Sequence, residues 1–217
     1  GSVLFPARMH MLFKGISGVY ACANADCNCS HTEGGLTLGE IYLSDGNLIC
    51  PHCGSVVYEL YNDRRCGALF FKGYVLEDDA ELHGNVYLWR YPGQLMDHRM
   101  KEVHLFIPTE DFELPVKQGK NAIKPCYLDV KSGFINFTDD SSAGKPWVRK
   151  LYYCNYSAKG RPQIITFPTC PHCRHQLSTS QLTSFSTRGN QSFFNLIKSQ
   201  FQLQPAVPGK NEDPDRF

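Results

Sequence analysis

Apolar and polar residues alternate in short runs along most of the chain, with the period of two that suits strands half buried against a core. Val56-Val57-Tyr58-Glu59-Leu60-Tyr61 and Leu69-Phe70-Phe71-Lys72-Gly73-Tyr74-Val75 read as strands, and Glu40-Ile41-Tyr42-Leu43 as a shorter one before the turn at Asp45-Gly46-Asn47. Gly15 to Cys22 reads as a turn feeding another short strand, while the apolar run Val3 to Lys14 suits a helix or an extended segment equally. From Asn85 to Tyr153 the signature repeats at Val86–Trp89, Val103–Ile107, Tyr127–Val130, Phe134–Phe137 and Trp147–Tyr153. Turns rich in Gly, Pro and Asp separate these runs at the intervals of an antiparallel sheet or small barrel. The period changes only near the end. There Phe193, Phe194, Ile197 and Phe201 fall at helical spacing behind Asn190, a suitable N-cap. The pattern predicts a β-rich α+β chain with a C-terminal helix.

The cysteines change this picture most. Cys50-Pro51-His52-Cys53-Gly54 recurs almost unchanged at Cys170-Pro171-His172-Cys173. Two thiols spaced this way sit on one tight turn that aims both sulfurs at a point, which is half of a tetrahedral zinc site. Cys22 and Cys27 supply a partner pair for the first turn, giving C-x4-C-x22-C-x2-C, the strand-knuckle-strand pattern of a zinc ribbon. For the second turn, Cys154 lies fifteen residues ahead and Cys66 completes four ligands from about a hundred residues away. Cys66-Gly67 resembles the second half of a knuckle whose first position is Asp63, so Asp63 can replace Cys154 as an oxygen ligand, and His172 or His175 can compete. Cys29 can exchange with Cys27, whereas Cys126 has no companion. Four thiolates fill zinc's coordination sphere and leave no place for a reactive water, so two such centres are structural. A redox reading of Cys-Pro-His-Cys is disfavoured, because the first turn runs into a strand and the βαβ units of a thioredoxin-like fold are missing.

Composition adds bounds. Of 217 residues, 42% are hydrophobic and 20% charged, with a net charge of +1, so no global field recruits nucleic acid or a membrane. Ten cysteines grouped in knuckles point to metal in a reducing compartment, and neither a signal peptide nor a run of membrane-spanning length is visible, which makes a cytoplasmic location the expectation. Gly1-Ser2 reads as a protease scar on an excised piece of a larger protein. Charge is unevenly spread: Glu77 to Glu113 holds nine acidic and three basic residues, Lys117 to Arg161 nine basic and three acidic. In the basic part, Lys145, Arg149, Lys150, Lys159 and Arg161 lie among Trp147, Tyr152, Tyr153 and Tyr156, a composition able to follow a phosphate backbone and stack bases; the competing reading puts the aromatics in the core and the lysines on a solvated face. No phosphate loop, nucleophile elbow or H-E-x-x-H is present, so no catalytic residue is assigned.

The run His10-Met11-Leu12-Phe13-Lys14-Gly15 through Cys22 and Cys27, followed in order by Cys50-Pro51-His52-Cys53-Gly54 and Arg65-Cys66-Gly67-Ala68-Leu69-Phe70-Phe71, resembles the cysteine-rich segment of large bacterial superfamily 2 DEAD/DEAH-box helicases. These include MrfA-type repair helicases and those of phage-defence systems such as Druantia and DISARM. Thr187 to Ile197 and Gln200 to Pro205 resemble what precedes the second motor lobe in the defence-type members. The chain departs from the pattern at Asp63, where the family has a cysteine. The resemblance implies a parent that hydrolyses ATP to move on DNA. Within such a parent, the resemblance implies, this chain would be a zinc-binding accessory region that positions DNA or a partner subunit, such as one of a defence system, against the rest of the helicase. The other reading is a protein–protein adaptor using the acidic Glu77 to Glu113 face. The expected division is a scar over 1–2, a zinc-ribbon segment over 3–75, an inserted β-region over 76–153, the second knuckle over 154–187, a helix over 188–204 and a polar linker or disordered tail over 205–217.

Overall fold

The computed structural model describes residues 18–77, 84–92, 100–116, 119–138, 143–158, 161–178 and 182–184. The expected helix over 188–204, the tail beyond it and the run Val3 to Lys14 lie outside the described residues. The described residues hold thirteen strands and no helix: β1 Val19–Cys22, β2 His31–Glu33, β3 Leu36–Leu38, β4 Ile41–Tyr42, β5 Val57–Asp63, β6 Leu69–Leu76, β7 Asn85–Tyr87, β8 Met100–Phe106, β9 Asn121–Asp129, β10 Phe134–Asn136, β11 Val148–Ala158, β12 Arg161–Ile165 and β13 Leu182–Ser184. Eleven form one sheet in the order β4-β1-β5-β6-β8-β11-β9-β10-β7, with β12 on β11 and β13 on β5; β2 and β3 pair separately.

The sheet returns on itself. Tyr74 of β6 exchanges both backbone hydrogen bonds with Trp89, just beyond β7, at 2.7 and 2.8 Å. β6, β8, β11, β9, β10 and β7 thereby close into a ring, the small barrel that the alternation allows. Its interior is the buried half of each alternating run: Phe71, Val103, Leu105, Leu128, Ile135, Leu151 and Tyr153 are each at most 1% exposed. Gly73 is required where the ring closes. A Cβ there would lie 2.6 Å from Leu88 Cδ1 and 3.2 Å from the carbonyl of Trp89, so Leu88 fills the space a side chain would take.

The sheet runs across the expected boundary at residue 76, since β6 pairs with β8 over seven residues from Phe70↔Phe106 to Leu76↔Met100. Ribbon segment and barrel therefore share one sheet. Outside the ring, Phe70, Phe106 and Tyr152 stand in register across β6, β8 and β11, and Phe112, Phe167 and Leu182 cover them. This outer apolar layer fixes the segment after β12, and with it the second cysteine turn, against the barrel wall. The hairpin β2–β3 and strands β12 and β13 were not expected. His31-Thr32-Glu33 is polar throughout, and Leu182-Thr183-Ser184 takes its place by pairing with β5 rather than from its own composition.

Candidate metal centres

Three turns of the same construction hold most of the clustered donors. At Cys50 the backbone N–H donates to Ser55 O (2.8 Å) and Cys50 O accepts from Gly54 N (2.8 Å). At Cys170 the partners are His175 O (2.8 Å) and Arg174 N (3.0 Å), and at Asp63 they are Ala68 O (2.9 Å) and Gly67 N (2.8 Å). The fifth residue of each turn is left-handed, with φ 66° at Gly54, 79° at Gly67 and 63° at Arg174. The turn Asp63-Arg64-Arg65-Cys66-Gly67 is therefore a knuckle whose first donor is a carboxylate.

The first centre gathers Cys22, at the end of β1, Cys27 in the loop after it, and Cys50 and Cys53 on the turn between β4 and β5. Cys22 Sγ lies 3.5 Å from Cys53 Sγ, and Cys27 Sγ 3.8 Å from Cys50 Sγ. Those separations are far too long for a disulfide at about 2.05 Å. They match the edge of a thiolate tetrahedron around zinc, about 3.8 Å for metal–sulfur bonds of about 2.3 Å. Tyr42 Oη, whose proton goes to Glu40 Oε2, lies 3.3 Å from Cys50 Sγ and packs against the thiols from outside the ligand set.

The second centre brings together Asp63, Cys66, Cys170 and Cys173. Cys66 Sγ stands 3.6 Å from Cys170 Sγ, while Asp63 Oδ2 is 3.3 Å from Cys66 Sγ and 3.4 Å from Cys173 Sγ. A mixed oxygen–sulfur edge in the same geometry is about 3.6 Å. The carboxylate divides its work: Oδ1 accepts the backbone N–H of Arg65 at 3.0 Å and locks the turn, which leaves Oδ2 facing the sulfurs.

Electrostatics agree with a cation in both places. Burial acts to raise Cys53, but hydrogen bonds from Ser55, Cys22 and Cys27 outweigh it and bring the thiol down to about 6. The hydrogen bond from Cys170 is the main cause that lowers Cys66 to about 7. Burial pushes Cys22 up, and the contact with Cys66 pushes Cys170 up. Burial also acts to raise Asp63, yet the Arg65 N–H and the neighbouring thiols hold it below the usual carboxylate range. In each group some donors ionise readily and so hold protons on the rest; a divalent cation replaces those protons. Both groups can hold a metal ion.

Cys154 does not join the second group. It lies on β11 opposite Ile165, buried with Phe70, Phe106 and Phe167 in the outer apolar layer, and the oxygen of Asp63 takes the fourth position. Arg149 is likewise displaced from its expected role. It is 9% exposed, donates from Nη1 to Ala23 O at 3.0 Å and from Nη2 to Thr37 O, and its guanidinium lies 5.3 Å from the Phe71 ring centroid. Burial lowers its pKa to about 10. It ties β11 to the first cysteine segment and does not reach solvent. Lys145 and Lys150 are exposed, Lys159 lies outside the described residues, and Arg161 opens β12. Sequence reasoning passed over a third group, Cys29, Glu40 and His52, whose donor atoms lie within 4.8 Å of one another. Their irregular spacing carries no motif.

The described residues thus form a β-rich sheet closed into a barrel, with clusters of metal-donor side chains on the knuckles at its edge. The chain belongs to the YjiV N-terminal domain family, which matches residues 42–188. It is also 29% identical, over an alignment of 224 residues, to the Druantia protein DruE of Escherichia coli (strain UMEA 4076-1). That alignment takes in 97% of this chain but 11% of the relative, so the chain spans about a tenth of that protein's length. It agrees with the Druantia-type resemblance carried by the cysteine motifs. No solved structure matches the chain. Among the described residues, no helix is long and apolar enough to cross a membrane.

Proposed function

We propose that this chain is a zinc-stapled module of a DruE-like anti-phage protein, which presents the outer face of its barrel to single-stranded DNA. The observation that carries the reading is a row of side chains across β7, β10, β9 and β11. Tyr87 pairs with Phe134, Asn136 with Tyr127, and Tyr127 with Lys150, so these residues share one outward face. Trp89 and Phe134 flank Tyr87 at ring distances of 4.8 and 5.4 Å and stay 44% and 47% exposed. Exposed rings beside lysines form a stacking and phosphate-tracking surface. The two metals, zinc by donor type, staple the fold and take no part in chemistry; the ATP-driven motor belongs to the remainder of a helicase-type parent in the cytoplasm, against which the module positions DNA.

The test is a salt titration. A labelled single strand should bind at low salt, weaken roughly in proportion to the phosphates contacted, and lose affinity in Lys145→Glu/Lys150→Glu and in Phe134→Ala. Arg149 is left alone in this test because it is buried. Absence of a salt-dependent complex would leave the adaptor reading, which Leu48 and Ile49, 58% and 50% exposed beside the first knuckle, favour as a protein-docking tip.

A further inference from the structure

Cys29, Glu40 and His52 come from three separate segments: the loop after β1, the residue before β4, and the first cysteine turn. His52 Nε2 lies 3.1 Å from Glu40 Oε2, and the thiol of Cys29 completes a group spanning no more than 4.8 Å. Glu40 is not a loose surface acid. Its side chain is 13% exposed, and Tyr42 Oη donates to Oε2 at 2.5 Å. The same carboxylate oxygen is 4.0 Å from Cys50 Sγ, so the group abuts the four-thiol centre. Four thiolates around one divalent ion carry an excess of two negative charges, and Glu40 adds another within van der Waals reach. A second cation at this point offsets that concentration of charge.

We propose that Cys29 Sγ, the Glu40 carboxylate and the His52 imidazole form a third metal site with one coordination position open to solvent. The mixed sulfur, oxygen and nitrogen set selects a borderline cation such as zinc or cobalt over magnesium or calcium, which take oxygen ligands. Three protein ligands and an open position distinguish this site from the closed four-donor centres. Its free position takes water or an anion such as inorganic phosphate. Cys50 and Cys53 hold the turn that carries His52, so the site rests on the first centre being formed.

Native mass spectrometry of the 217-residue chain under saturating zinc tests this. Three ions per chain are expected in the unaltered protein and two in Cys29→Ser, Glu40→Gln or His52→Gln. In the cobalt-loaded protein, added phosphate should shift the visible bands of the third equivalent only, and His52→Gln, at a half-exposed position, should abolish that shift without unfolding. Two ions in both the unaltered chain and the variants would overturn the third site and leave the structural centres standing. No bound metal in any form would sink both readings together.

Discussion

Arg174 holds the left-handed position that glycine occupies in the other two knuckles, at φ 63°. A side chain there costs about 1–2 kcal/mol. Arg174→Gly should accordingly raise the melting temperature by about 2–4 °C, read by differential scanning calorimetry of the metal-loaded protein. Asp63 is the other residue whose identity decides local chemistry. Asp63→Ala should release one metal equivalent while the first centre keeps its own. Asp63→Cys should slow release to a chelator such as EDTA, because a fourth thiolate suits a borderline cation better than carboxylate. Cys154→Ala should leave metal content unchanged, which separates the layer residue from the ligands. Seven of the eight residues that the structure gathers into the two clusters were named from the sequence, and the Asp63-x-x-Cys66-Gly67 echo was visible too. What the chain could not reveal was that β11 runs on past Cys154 to Ala158 and holds its thiol among Phe70, Phe106 and Phe167, since that depends on which face of β11 the residue meets. Arg149 was hidden for the same reason: a charge in a basic stretch reads as surface until its register places it under Phe71 and the carbonyls of Ala23 and Thr37.

Strand alternation made most of the barrel readable at the level of elements. Expected and observed strands agree at β1, β4, β5, β6, β8 and β10 within a few residues, because each buries one face and exposes the other. β9 begins earlier than expected, at Asn121, and runs through Lys124 and Pro125, a composition that signals a strand only once β11 pairs with it along nine residues. Ring closure is the sensitive point. Gly73→Ala should destabilise by about 1–3 kcal/mol through its collision with Leu88, and a second change, Leu88→Ala, should recover part of the loss at the expense of a cavity. Urea unfolding of the two variants and the double variant measures the coupling. Across β6 and β8, Glu102 sits 2.9 Å from His104 and 3.7 Å from Lys72. The close approach of the His104 ring, with Lys72 nearby, holds its carboxyl below the usual glutamate range. A depressed acid stabilises the fold above its unfolded pKa, and that contribution fades as pH falls through the folded value. Glu102→Gln should therefore lose stability near neutral pH and converge on the unaltered protein in acid, as followed by urea midpoints at successive pH values.

The second cluster joins donors that are distant in the described chain. Cys66 and Cys170 are 104 residues apart, and every barrel strand after β6 lies between them. The first centre, by contrast, is complete in the sequence once Cys53 exists. During synthesis at about 5–20 residues per second, a newborn chain would wait roughly 6–24 s between having one full donor set and the other. For most of that interval Asp63 and Cys66 would be without Cys170 and Cys173, an incomplete claw open to a stray ion or another chain's thiol. Where each cluster takes an ion, loading would be ordered in time from the first to the second, and the later ion would act as a latch able to shut only after the barrel between its two jaws has been laid down.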